Sequence, residues 1–151
     1  MTGWHDVETA EPAFAARVRA LFDAHRHKTI ATLRADGAPR ISGIEARFAD
    51  GELEFGSMPG ALKGRDLRRD PRFALHSATV DPVEGREADW PGEAKVAGRA
   101  VLAGPLDGPV PGDAFRADLA EVVLTALNPA GTALRIESWT ADRGYRVVER
   151  E

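Results

Sequence analysis

Apolar residues recur along the chain with two different periods, and the change between them separates a helical start from an extended remainder. Phe14, Val18, Leu21, Phe22 and His25 return at helical spacing behind Pro12, whose fixed φ suits a first turn, so the spacing predicts a packing helix from about Pro12 to His27. From Lys28 to Phe55 the pattern becomes three strand-like segments divided at Asp36-Gly37 and Asp50-Gly51. Both dipeptides favour tight hairpin turns because their residues tolerate positive φ, so two hairpins in succession make an antiparallel meander. Glu52 to Leu75 then reads as a strand, a Gly/Pro turn, a short basic helix and a second strand. Asp70-Pro71 stops the helix, and the strand runs from Arg72 to Val80. Asp81 to Gly92 is an acidic loop, Glu93 to Gly104 a strand, and Gly104 to Asp113 a Pro/Gly-rich connection. Phe115 to Leu127 fits either a helix or a strand by periodicity, and the last twenty or so residues read as two strands around a turn at Asp142 to Gly144. Many short strands with one or two helices imply a mainly β fold, an antiparallel barrel or sandwich whose closure hides sheet edges.

Composition narrows this further. With 151 residues, 43% of them apolar and 29% charged, the chain fits one domain spanning residues 1–151 around a single core. No run of apolar residues is long enough to span a bilayer and no targeting segment opens the chain, so a cytoplasmic protein without membrane contact is expected. Cysteine is absent, which excludes disulfides and thiolate chemistry; any redox chemistry must come from a bound cofactor. A net charge of −4 and the acidic loop argue against a nucleic-acid surface. Positive charge is instead local, at Lys63, Arg65, Arg68, Arg69 and Arg72. A helix start exposes unpaired amides, so a turn at Gly60 with Lys63 following it can hold a phosphate. The alternative is a solvated helix face, its arginines paired with Asp66 and Asp70. Arg34, Arg40 and Arg47, on adjacent strands, either line an anionic cleft or form the polar face of a hairpin. His5, His25, His27 and His76 have no metal-ligand spacing, and no residue is singled out as a catalytic acid, base or nucleophile.

The order ATLRADGAPRIS, LEFGSMPGALKGRDLRRDPRFAL, AKVAGRAVLAG and LRIESW…GYRVVER resembles the pyridoxamine 5′-phosphate oxidase-like family of flavin- and deazaflavin-binding oxidoreductases, from about Lys28 onward. The resemblance implies a Greek-key split β-barrel with an N-terminal helix and a short basic helix, and it resolves Phe115 to Leu127 as strand. It further implies a homodimer binding FMN, or the deazaflavin coenzyme F-420, between subunits, and acting on a small-molecule substrate. Lys63 matches the family's phosphate-binding lysine, whereas Leu62 stands where many FMN-binding members carry Arg. Gly56 and Ser57 match the strand end that contacts the phosphate or ribityl chain. The stretch containing Ser42, Gly43, Ile44 and Arg47 matches the strand flanking the ring, with Ser42 in place of a frequent Arg. Trp139 matches a tryptophan near the cofactor in the oxidase branch. The vitamin B6 oxidases carry Arg-x-His-x-Arg on the final strand, where this chain has Arg146, Val148 and Arg150; pyridoxamine 5′-phosphate is therefore not the expected substrate. A non-enzymatic flavin-binding, storage or redox-sensing role is the alternative, and a haem-binding relative is disfavoured because no histidine has an axial-ligand context.

Overall fold

The computed structural model describes all residues, 1–151. The chain forms α1 (Trp4–Ala10), α2 (Pro12–Asp23), β1 (His27–Leu33), β2 (Pro39–Ala49), β3 (Glu52–Ser57), α3 (Leu62–Arg69), β4 (Arg72–His76), a 3-10 turn (Glu87–Asp89), β5 (Glu93–Pro105), β6 (Asp113–Leu127), β7 (Leu134–Thr140) and β8 (Gly144–Arg150). All strands pair antiparallel in the order β3-β2-β1-β4-β5-β6-β7-β8, and β3 also pairs with β6, which closes β1 to β6 into a barrel. Because β4 lies beside β1, after the meander β1-β2-β3, the connectivity is a Greek key. β6 pairs with β3 over Asp113–Arg116 and with β7 over Val122–Leu127, so this one strand both closes the barrel and starts the β7-β8 extension.

Local chemistry accounts for most boundaries. Asp50 and Gly51 both have positive φ, 52° and 75°, giving the two-residue turn whose twist matches the flanking strands. At Asp36-Gly37 only Gly37 has positive φ, and the connection is longer, from Arg34 to Ala38. The first predicted helix ends at Asp23, because from His27 onward pairing with β2 captures the chain; His25 and His27 therefore do not share a helix. β4 ends at His76 rather than Val80. α1 is too short to reveal a period. Its start is marked by Asp6, whose carboxylate accepts the Gly3 amide at 2.9 Å.

The barrel is filled by alternate residues of each strand, with Phe55 stacked on Phe115 and tilted against Phe73 in the core. One end is plugged by α1 and α2, where Trp4 and Phe22 pack on Phe48. The opposite end, where β1 and β3 finish and β2 and β6 begin, is covered by α3. On the extension, α2 is tied down by Arg17, which donates to the buried Glu137 of β7 at 2.8 Å; the Tyr145 hydroxyl of β8 donates to the same oxygen at 2.5 Å. No helix is long and apolar enough to cross a membrane.

Candidate functional site

The corner formed by the end of β3, the turn Met58–Ala61 and α3 is built as the sequence suggested, with a different internal wiring. α3 has eight residues, few for a helix to stand alone, and it buries three of them against the barrel. Leu67 enters the core. Gly64 lies directly over Ser57: a Cβ there would meet the Ser57 hydroxyl at 2.3 Å, so only glycine permits this approach. Asp66, 2% exposed, accepts Thr32 Oγ1 at 2.7 Å, Arg40 Nε at 2.8 Å and Arg69 Nη2 at 2.9 Å. Burial pushes the Asp66 pKa up, but the hydrogen bonds from Thr32, Arg40 and Arg69 outweigh it and hold the carboxyl below its ordinary value.

Arg68 and Arg72 are also taken, whereas Arg65 is exposed and has no carboxylate partner. Arg68 forms a two-bond pair with Asp113 at the start of β6, at 2.8 and 2.6 Å, and lowers that carboxyl's pKa. Arg72 holds Asp70, lowering its pKa to about 2. The helix face is thus partly the paired surface that the Arg/Asp spacing suggested, with Asp113 and Arg40 added from distant strands. Arg40 does not line a cleft, since its charge is spent on Asp66. Lys63 differs: it is half-buried, one helical turn before Asp66 and Leu67, and pairs with no carboxylate. Ala61 supplies no side-chain cap, so the first-turn amides beside Lys63 have no side-chain partner. A cation and free amides at one helix start are the chemistry of an anion site.

The other sequence-singled residues fall into two sets. Gly43 and Arg47 face outward on β2, and Arg47 pairs with Glu54 at 3.0 Å; Gly56 faces outward and packs against Leu106, while Leu62 is 52% exposed. Ser42 and Ile44 alternate inward, Ile44 as a core residue. Ser57 is buried, its hydroxyl turned to the Met58 carbonyl, so this strand end offers a ligand backbone rather than hydroxyl. Trp139 is core: on β6 it faces Val122, whereas Ser57 faces Asp113, so the two lie well apart along the same strand. Sequence reasoning missed Thr32, Arg40 and Asp113 as partners of the corner; their only signal is a polar side chain at the mouth of the barrel.

No family profile matches the sequence, and no curated protein matches it. Solved structures do. PhzG from Burkholderia lata, in complex with tetrahydrophenazine-1-carboxylic acid, superposes with a TM-score of 0.65 at 15% identity, over 100% of this chain and 97% of that one. A pyridoxamine 5′-phosphate oxidase-related, FMN-binding protein from Nostoc punctiforme gives 0.63 at 12% identity, over 93% and 96%. The chain has the pyridoxamine 5′-phosphate oxidase-like split-barrel fold. A haem-binding protein from Mycobacterium smegmatis also matches, at 0.53 and 14% identity over 88% and 86% of the two chains. The same split barrel thus carries different ligands, and the ligand of this one must be argued from its own residues.

Proposed function

We propose that the protein is a dimeric split-barrel oxidoreductase that holds FMN, or the deazaflavin coenzyme F-420, with its phosphate at the start of α3. The observation that carries the reading is Lys63, the half-buried cation left without a carboxylate in a corner where Arg40, Arg68, Arg69 and Arg72 are all paired and the other unpaired cation, Arg65, is exposed. Lys63, the first-turn amides and the exposed Met58–Gly60 turn fit a phosphate, and Gly43 and Arg47 lie on the outer face of β2 where a ring can rest. When bound, such a cofactor supplies the hydride chemistry, while the chain's residues bind and orient it. The substrate is an unidentified small molecule. The absorbance spectrum of purified protein, followed by titration of apoprotein with FMN and F-420, tests the cofactor; failure of both to bind refutes the reading.

The second copy belongs on the outer face of β1, β2, β4 and β5. Ala31, Ile41, Gly43, Ala74 and Ala97 present small or apolar groups there, and Ile41 is 75% exposed. An obligate interface usually buries about 2,000 Å² or more, so this face is the natural seat for a partner copy. Sedimentation at micromolar concentration is expected to give twice the chain mass, and Ile41→Glu a monomer that has also lost cofactor affinity. A wild-type monomer would rule the dimer out.

A non-enzymatic flavin binder or redox sensor is the second reading. It is favoured by the corner's carboxylates, Asp66, Asp70 and Asp113, each tied to an arginine and so unavailable as a proton-transfer group beside Lys63. Reducing the holoprotein and asking whether any acceptor reoxidises it faster than free cofactor separates the two.

A further inference from the structure

The anion site at Lys63 depends on a carboxylate that the fold keeps away from it. Asp66 follows Lys63 at i+3, the spacing at which oppositely charged side chains meet on a helix surface. Left to themselves, these two residues would pair and cancel. They do not, because the Asp66 carboxylate is directed into the barrel mouth, where one oxygen accepts from Thr32 and Arg40 and the other from Arg69. Arg40 is the main holder. Its side chain is 17% exposed and that of Asp66 3%, so the pair sits largely out of water, where a charge is costly unless matched. Arg69 is 43% exposed and divides its Nη2 between Asp66 and the Leu33 carbonyl at 2.8 Å.

We propose that Arg40 is a positioning residue for the anion site: by engaging Asp66 it reserves the Lys63 ammonium for the ligand phosphate. The inference rests on the reading of Lys63 as that site. Arg40 touches no ligand; it acts through Asp66, and Arg69 assists. Loss of either cation leaves Asp66 with surplus negative charge; of the two unpaired cations of α3, Arg65 is exposed and adjacent in sequence, while Lys63 is half-buried and stands at the i,i+3 spacing that lets it meet Asp66.

Two readouts test this. The first needs no ligand: the rate at which acetic anhydride acylates Lys63, followed by peptide mass, reports how far its amine is engaged. Arg40→Met should slow labelling of Lys63, and so should Arg69→Met, whose exposed site protects folding should Arg40→Met fail to fold. The second is affinity for FMN against riboflavin, which lacks the phosphate. Arg40→Met should lose about tenfold or more for FMN and nothing for riboflavin. Arg40→Lys, which keeps a cation on Asp66, should retain FMN affinity, and adding Asp66→Asn to Arg40→Met should restore it. Unchanged Lys63 labelling in folded Arg40→Met or Arg69→Met, or an FMN loss that persists with Asp66→Asn, would overturn the proposal. Full FMN affinity in Lys63→Ala would instead remove the anion site itself, and the labelling rates would still decide whether Arg40 controls Lys63.

Discussion

Lys63→Ala is expected to weaken FMN binding by about 10- to 150-fold, the worth of a charge-assisted contact of about 1.5–3 kcal/mol. The fold should survive, because Lys63 contributes neither to the core cluster nor to any ion pair that anchors α3. Riboflavin affinity should not change, since the lost contact is to phosphate. Arg68→Ala is the control. Arg68 lies on the same helix but its guanidinium is committed to Asp113 and 54% exposed, so its removal should leave FMN affinity within about twofold, as a surface pair is typically worth less than 1 kcal/mol. Equal losses in both variants would mean a diffuse basic patch, and no loss at Lys63 would remove the cradle. Fluorescence quenching of both flavins, with melting curves for each variant, reads all of these outcomes.

Arg17→Ala is expected to cost about 3 kcal/mol of stability, which for a domain of this size lowers Tm by about 6–12 °C. Arg17 ties α2 to the β7-β8 extension through Glu137, which is 2% exposed and has its Oε2 without any partner. Removing the guanidinium leaves a buried carboxylate whose one remaining hydrogen bond comes from the Tyr145 hydroxyl, with only the charge of Arg135 nearby. Glu137→Gln in the Arg17→Ala background removes that stranded charge and should recover much of the loss; failure to recover it would assign the cost to lost packing of the Arg17 stem. Acid should reach the same joint. Burial raises the Glu137 pKa, but the hydrogen bonds from Tyr145 and Arg17 outweigh it, so the folded value lies below the ordinary 4.5, as that of Asp66 lies below 3.8. A carboxyl depressed on folding contributes stability that is complete above its unfolded value and lost as pH falls through its folded one. Denaturant midpoints should therefore be flat near neutrality and fall below about pH 4, less steeply in Glu137→Gln.

Elements whose signal is local were legible before any coordinates. The Asp50-Gly51 turn, the strand–turn–helix–strand run from Glu52 to His76 and the final hairpin each have their conformation written in adjacent residues. Where two local readings competed, contacts decided. Phe115 to Leu127 carries apolar residues at helical and extended spacing alike, and it is a strand because β5 lies along one side while β3 and β7 share the other. α1 escaped notice because Trp4 and Val7 alone define no period.

The site divides in the same way. Residue type and spacing are enough to make the chain mainly β, to concentrate its positive charge at Lys63 to Arg72 and to set that charge behind a turn able to start a helix. Which of these cations are spent depends on long-range contacts. Arg40 reaches Asp66 across 26 positions of sequence and Arg68 reaches Asp113 across 45, so no local pattern could reveal that Lys63 stays half-buried and unpaired while Arg68, Arg69 and Arg72 are neutralised and Arg65 is left exposed. The same holds for Ser57 and Trp139, whose polar and aromatic groups suit a ligand but which barrel closure turns inward, because strand alternation fixes the face of each side chain once the register is set.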